Sequence, residues 1–197
     1  MRTTVGPASV RAAEVGLRAG LAEAIETVIP GLPSARAFTA VAMPNPHLIA
    51  FVARVDEDEL VALGRWCEAG PPLIPARANI SFVEPRGGDL FVRTWERGVG
   101  LTDSCGSAMA SSVFAAGLAG RVAFGSVVRV FNRGGLVLGQ ASAPADGALV
   151  TISGNATFVY DATVEVDPAR GRAEAATILA RRDDEAAAWR AAVAALA

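Results

Sequence analysis

The 197-residue sequence predicts an α+β fold built on a mixed or antiparallel sheet. Three observations lead to this prediction. The β-rich segments come largely in pairs separated by turns that contain Gly or Pro, as in hairpins. Two helices are long enough to be central. Strands and helices do not alternate regularly along the chain, so a parallel βαβ series is not favoured.

The individual elements follow from local patterns in chain order. The first strand ends at Gly6-Pro7, and apolar residues then recur at near-helical spacing over 8–29, until Pro30-Gly31 stops the pattern. The acidic residues Asp56-Glu57-Asp58 indicate the start of a helix, because they stabilise the positive end of its dipole. The predicted strands cover residues 2–5, 36–43, 48–52, 79–83, 90–95, 127–131, 136–139, 149–152 and 158–166, and the predicted helices cover 8–29, 56–70 and 106–118.

The C-terminal part differs in composition from the rest of the chain. From about residue 169 it is rich in Ala, so we expect one domain over 1–166 and a helical extension over 167–197. An apolar stripe is expected on this extension, formed by Leu179, Ala186, Trp189, Val193 and Leu196. Such a stripe could cover an apolar surface, dock a partner or belong to a plain surface helix.

Composition restricts the chemistry that this chain can perform. All 18 basic residues are Arg, and the absence of Lys excludes a Schiff base or a phosphate-loop lysine. Two Cys and one His cannot form a closed four-ligand zinc site without carboxylates, and we expect neither a metal nor a cofactor. A net charge of −2 with scattered Arg does not favour nucleic-acid binding. We also expect a cytoplasmic protein, because no signal-peptide pattern or membrane-spanning apolar run is found.

The segment 93–108 carries the candidate chemistry. It places Cys105 after a strand and a glycine-rich turn, at the start of a predicted helix. Unpaired N–H groups and the helix dipole lower the pKa of a cysteine at that position, so a reactive thiolate is expected. The N–H groups of Gly106 and Ser107 would form a cradle for a substrate carboxylate. The alternative is a buried free cysteine with only a packing role.

Four segments of the chain, taken in order, match the motifs of one protein family. They are Met43-Pro44-Asn45-Pro46-His47, Arg77-Ala78-Asn79-Ile80-Ser81-Phe82, Glu96-Arg97-Gly98-Val99-Gly100-x-Thr102-x-x-Cys105-Gly106-Ser107 and Ser153-Gly154-Asn155-Ala156-Thr157-Phe158-Val159. Together they resemble the second, C-terminal domain of diaminopimelate epimerases over about residues 1–165. The resemblance implies a sheet wrapped round a central helix.

The resemblance also implies cofactor-independent inversion at the α-carbon of an amino acid. In that family one cysteine removes the α-proton as thiolate, and a second, on the opposite face, delivers a proton as thiol. Cys105 corresponds to one of these two thiols. Glu96 and His47 would lie near the thiols and tune their pKa values.

The same resemblance implies how a small, amino-acid-like substrate would be held. Gly106 and Ser107 would bind its α-carboxylate. Asn45, Asn79 and Arg97 would contact its far end, where the Arg97 guanidinium suits a carboxylate. Cys67 does not match the first cysteine motif of the family and is expected to be a packing residue.

The first cysteine motif of the family, a glycine-rich turn leading to Cys-Gly-Asn, is absent from this sequence. We therefore expect the chain to be short by one domain. Three alternatives remain open. A second chain, or another copy in a homo-oligomer, could supply the opposite acid/base. Cys105 could act alone in a one-base isomerase or cyclase of a biosynthetic pathway. The chain could also be a fragment, or a binding or scaffold domain without turnover.

Overall fold

A computed structural model describes residues 1–194. These residues divide into two compact units, 1–154 and 155–194. The first unit contains ten strands and three α-helices: β1 Arg2–Val5, α1 Ala12–Val15, β2 Thr27–Val28, β3 Ala37–Ala42, β4 Pro46–Phe51, α2 Glu57–Glu68, β5 Asn79–Arg86, β6 Asp89–Glu96, β7 Gly100–Thr102, α3 Gly106–Leu118, β8 Val128–Asn132, β9 Gly135–Ala141 and β10 Val150–Gly154.

The ten strands of the first unit form one mixed sheet. Its order is β1-β10-β9-β8-β6-β5-β4-β3-β2, with β7 paired to β6. Two neighbouring pairs, β4 with β5 and β6 with β8, are parallel, whereas the other pairs are antiparallel. The predicted α+β class with a mixed sheet is therefore confirmed.

Helix α3 lies at the centre of this sheet. It packs against seven strands, from β3 and β4 round to β9 and β10. Most of its residues are small, and it is buried on nearly every side, which allows the strands to approach closely. At Gly139 on β9, an added Cβ would lie 2.7 Å from the Val113 side chain. The sheet therefore wraps round α3, as the resemblance implied.

Helix α2 covers part of the sheet with a second apolar cluster. Asp56 caps its N-terminus, since the side chain accepts a hydrogen bond from the Glu59 N–H at 3.0 Å. Leu60, Leu63 and Cys67 lie on one face and are buried in this cluster. The helix therefore begins and ends close to the predicted 56–70.

The predicted helix over 8–29 is wrong. Only α1 is helical in this segment, because Gly16 adopts a left-handed conformation with φ 78° directly after Val15. Beyond it the chain is irregular, and the Ala24 carbonyl accepts a hydrogen bond from the Ala40 N–H of β3. Leu17 and Ile29 are buried beside α2. Their spacing reflects burial of an irregular segment rather than one face of a helix.

The second unit differs from the predicted division in two ways. The last strand of the sheet ends at Gly154, so the first compact unit is shorter than 1–166. The expected helical extension contains strands before its helix. The second unit consists of β11 Tyr160–Thr163, β12 Val166–Asp167, β13 Arg172–Ala173, β14 Thr177–Arg181 and α4 Asp183–Ala194.

The predicted apolar stripe is only partly on α4. Leu179 lies on β14 and is 64% exposed, whereas Ala186, Trp189 and Val193 lie on α4. Leu196 lies outside the described residues. Of the helices described over 1–194, none combines the length and the apolar character needed to span a membrane.

Candidate active site

The predicted site residues gather at one end of the sheet. His47 at the start of β4 is paired with Asn79 at the start of β5. Strand β6 runs antiparallel to β5, and Ile80 pairs with Trp95, so Glu96 at the end of β6 lies at the same end. The short strand β7 pairs back onto β6 and leads to the start of α3. The register thus brings three distant motifs together.

Cys105 is the N-cap residue of α3, as predicted. Its backbone is extended, with φ −140° and ψ 105°, and 8% of the residue is exposed. The first N–H groups of an α-helix have no partner within the helix, and the first turn of α3 contains no acidic side chain. Nothing lies within 4 Å of a Cβ added at Gly106, so this helix end is open to a ligand. An anion fits that position.

A chain of polar contacts links Cys105 to His47. The Cys105 Sγ lies 3.6 Å from the Ser107 Oγ, and the Asn45 Nδ2 donates to the same Oγ at 3.4 Å. The His47 Nε2 lies 3.1 Å from the Asn45 Oδ1. Because the Asn45 oxygen only accepts, Nε2 carries the ring proton. Ser107 accepts from Asn45, and its own proton can therefore be donated to the sulfur.

His47 is neutral in this arrangement. The residue is fully buried, and burial together with the nearby positive charge of Arg97 lowers its pKa from 6.5 to about 3. A neutral imidazole can hold a single N–H tautomer at physiological pH. His47 is therefore connected to Cys105 through the polar contacts of Asn45 and Ser107. It is uncharged and forms the far end of this chain of contacts.

The expected low pKa of Cys105 is wrong for this structure. Burial raises the pKa of the thiol to about 11, the Ser107 hydroxyl opposes the rise, and the Glu96 carboxylate adds to it. Loss of hydration and a nearby negative charge outweigh the start of the helix. At neutral pH the group is a thiol, not a thiolate.

Glu96 and Asn79 each hold part of the segment between β6 and β7. The Thr102 hydroxyl donates to the Glu96 Oε1 at 2.5 Å. The buried Asn79 accepts a hydrogen bond from the Arg97 N–H through its Oδ1 at 3.0 Å. Sequence reasoning assigned no role to Thr102, although its position in the Cys105 motif marked it. Both contacts fix the direction in which residues 96 and 97 present their side chains.

The positive charge of the Arg97 guanidinium is available to a ligand. It donates to the Ala76 carbonyl at 3.2 Å, and among residues 1–194 no carboxylate pairs with it. The side chain is half-buried, so the cation is only partly hydrated. It can therefore bind an anionic group.

Cys67 lies on α2, and its side chain is buried in the apolar cluster that this helix forms with the sheet. Its sulfur accepts a hydrogen bond from the Ala78 N–H at 3.2 Å and donates to the Ala78 carbonyl at 3.6 Å. Burial raises the pKa of this thiol. The described residues 1–194 contain no group of three or more His, Cys, Asp or Glu that could hold a metal ion.

Known proteins resemble this chain at the level of sequence. The sequence profile of the diaminopimelate epimerase family matches residues 39–159. A diaminopimelate epimerase of Clostridium acetobutylicum is 39% identical over 141 residues, which are 71% of this chain and 42% of the relative. One of Enterococcus faecalis is 36% identical over 160 residues, covering 79% of this chain and 49% of the relative. The chain thus spans about half the length of the curated relatives it matches.

A likeness to solved structures is more distant. A Bacillus anthracis phenazine biosynthesis protein of the PhzF family covers 72% of this chain and 40% of its own, at 16% identity and a TM-score of 0.42. This likeness is too weak to support an argument. The match of the family profile to more than half of the chain, including Cys105 and its neighbours, does not depend on it. The chain therefore belongs to the diaminopimelate epimerase family.

Proposed function

We propose that this chain is one half of a cofactor-independent amino-acid epimerase or racemase, with Cys105 as one of two acid/base groups. Membership of the family supports the reaction class. The single observation that carries the proposal is the Cys105 thiol at the open start of α3, held by Ser107 and flanked by Glu96.

The raised pKa of the Cys105 thiol supports a role on the acid side of the reaction. A base on the opposite face of the substrate takes the α-proton, and the Cys105 thiol gives its proton to the same carbon. Cys105 is left as a thiolate, which the Ser107 hydroxyl can stabilise by donating to the sulfur. The carbon loses one proton and gains one, so its configuration inverts without a change in oxidation state.

Substrate binding would use the helix N–H groups and the polar side chains that lie around Cys105. The N–H groups of Gly106 and Ser107 would hold the α-carboxylate against the start of α3, beside the Cys105 sulfur. The guanidinium of Arg97 would bind an anionic group at the far end, together with Asn45 and Asn79. The proposed ligand is therefore a small, amino-acid-like molecule with a carboxylate.

The opposite acid/base must come from outside the described site. Cys67 lies on α2, where it is buried and hydrogen-bonded to Ala78, so it cannot face Cys105 across a substrate. We therefore propose that another polypeptide, or a second copy of this chain, supplies the second group. The matched residues cover only 42% of the Clostridium acetobutylicum relative, which supports this proposal.

The test is wash-in of deuterium at the α-carbon in heavy water. Diaminopimelate, glutamate and lysine would each be incubated with this chain alone and with the remaining portion of the Clostridium relative, co-expressed as a separate polypeptide. We expect exchange with the second polypeptide present, because the protonated Cys105 thiol needs a separate base. Exchange by this chain alone would assign that base to a second copy of the chain. Absence of exchange with every substrate under both conditions, with folded proteins, would overturn the proposal.

Two matched variants connect the exchange to the site. Cys105→Ser should reduce the exchange rate by at least about a hundredfold, since an alcohol is a far weaker acid than a thiol. Cys67→Ser makes the same chemical change and keeps both hydrogen bonds to Ala78, so the rate should stay within about twofold. Equal rates in the two variants would remove Cys105 from the mechanism.

A non-catalytic binding domain is the second candidate. The burial of Cys105 and its raised pKa favour it, because a thiol of this kind is unreactive on its own. Binding of the same amino acids by calorimetry, without exchange under any condition, would support this candidate. Exchange that is lost in Cys105→Ser would exclude it.

A further inference from the structure

Arg93 is the largest fully buried side chain of the first unit. The site described above does not explain its role. It lies on β6 and is 2% exposed. A buried guanidinium loses its hydration and is costly unless it is paired and hydrogen-bonded. A well-packed apolar side chain could fill a core position at less cost, so core packing alone does not account for this arginine.

The partners of Arg93 join α2 to the turn that carries Cys105. The Arg93 Nε donates to the Glu57 Oε1 at 2.7 Å, in the first turn of α2. Its Nη1 donates to the Thr102 carbonyl at 2.8 Å and to the Asp103 Oδ1 at 3.2 Å. One buried side chain thus holds two consecutive residues that lie just before Cys105.

The turn between β8 and β9 holds the same segment from a second side. The Gly134 N–H donates to the Asp103 carbonyl at 2.8 Å, and the Arg133 guanidinium pairs with the same Glu57 oxygen at 2.8 Å. A Cβ added at Gly134 would lie 2.9 Å from the Asp103 carbonyl oxygen, so this approach needs glycine. We call these five residues the Arg93 brace: Arg93, Glu57, Asp103, Arg133 and Gly134.

We propose that Arg93 is a positioning residue for Cys105, which fixes the 102–104 turn so that the sulfur stays at the start of α3. The inference rests on the role proposed above for Cys105. Arg93 itself touches neither the sulfur nor the groups assigned to the substrate. It acts through the Thr102 carbonyl and Asp103, which set where the following two residues lie.

The brace also accounts for the burial of the thiol. Residues of the turn, together with Met109 and Asn132, line a shallow crevice beside Cys105 that is too narrow to hold a water molecule. With the turn fixed, this crevice stays too narrow for water, and only 8% of Cys105 is exposed. Release of the turn would hydrate the sulfur and return its pKa towards 9.0.

The experiment is alkylation of Cys105 by iodoacetamide in this chain alone, followed by mass spectrometry of the Cys105 and Cys67 peptides between pH 7 and 11. Arg93→Met keeps a long side chain and removes all three bonds. We expect Cys105 to react at least about tenfold faster at pH 8, because each unit by which the pKa falls raises the thiolate fraction about tenfold. The Cys67 peptide should be unchanged.

Arg36→Met is the matched control. Arg36 forms a two-bond ion pair with Glu59 on the same first turn of α2, and its hydrogen-bond partners do not include the Cys105 turn. Its alkylation profile should match that of the parent. A folded Arg93→Met with the parent profile, or an equal change in Arg36→Met, would overturn the proposal.

Arg93→Lys covers the case in which Arg93→Met does not fold. The ammonium can still pair with Glu57 but lacks the guanidinium fork that reaches both Thr102 and Asp103. We expect a smaller shift of the Cys105 profile in the same direction, and no shift would overturn the proposal. These measurements use neither substrate nor turnover. A failed exchange experiment with a shifted profile would therefore reject the proposed function and leave the positioning role standing.

Discussion

The environment of Cys105 contains two opposing influences on one sulfur atom. The start of α3 and the Ser107 hydroxyl favour a thiolate, whereas burial and the Glu96 carboxylate favour a thiol. Burial and the Glu96 carboxylate dominate, because an ionised sulfur loses most of its hydration when only 8% of the residue is exposed. At neutral pH the chain by itself therefore presents a thiol at this position, as the proposed role of Cys105 as proton donor requires.

His47 has a pH dependence that can be measured directly. It is the single histidine, and its pKa in the folded chain is about 3 rather than 6.5. The lowered value means that the folded state needs the neutral ring. The corresponding stability is fully present above pH 6.5 and is lost as the pH falls towards 3. Between pH 7.5 and 5 the loss from this group is about 2 kcal/mol.

Two measurements test the prediction that His47 is neutral in the folded chain. The ring protons should show no titration between pH 5 and 8 by NMR. The free energy of unfolding from urea titrations should fall less steeply over this range in His47→Gln than in the parent, because glutamine cannot be protonated. A midpoint near 6.5, or equal slopes in the two proteins, would contradict a buried neutral histidine.

The packing of helix α2 against strand β6 depends on one close contact between the two elements. Gly64 lies against the Trp95 indole on β6, and a Cβ added there would be only 2.2 Å from the ring. No side chain larger than hydrogen fits unless the helix or the ring moves. Trp95 directly precedes Glu96, so this contact also affects the end of β6 that belongs to the site.

Gly64→Ala should therefore destabilise the protein, although alanine is the better helix former. We expect a loss of about 1–3 kcal/mol from the forced displacement. Gly106→Ala is the control, because it makes the same change in the first turn of α3 where nothing lies within 4 Å. Its unfolding free energy should stay within about 0.5 kcal/mol of the parent value. Similar urea midpoints for both variants would argue against the packing at Gly64.

The whole chain concentrates its buried side chains in one unit. Every buried residue described lies between residues 12 and 152, in the sheet, in the helices packed on it or in the segments that connect them. The described residues of the second unit are half-exposed or exposed, and Phe158, Tyr160 and Leu179 are large apolar side chains among them. The unit 1–154 therefore holds the described core.

A chain that ends at Gly154 is predicted to fold on its own. Its thermal unfolding should be cooperative, with a midpoint within about 5 °C of the full chain, because the described core is retained. Circular dichroism during heating measures this. A shortened chain without a cooperative transition would show that residues beyond Gly154 contribute to the stability of the sheet.

Much of the fold and of the site could be predicted from local sequence. The hairpin at 79–95 and helix α2 depend on alternation, turn residues and an N-cap, which act within a few residues. The position of Cys105 at the start of α3 follows from the glycine-rich turn and the small residues after it. The segment 8–29 could not be predicted this way, because its apolar spacing comes from packing against β3 and α2.

By itself, the sequence determined the fold class, the helix that starts at Cys105 and the set of residues around it. Only the tertiary structure decided that β4 and β5 are parallel, which places His47 beside Asn79. It also decided the protonation of His47 and Cys105, because hydration and charge at an atom depend on neighbours that are distant in the chain. The contacts of the buried Arg93 were also decided only by the tertiary structure, since 36 residues separate Arg93 from Glu57.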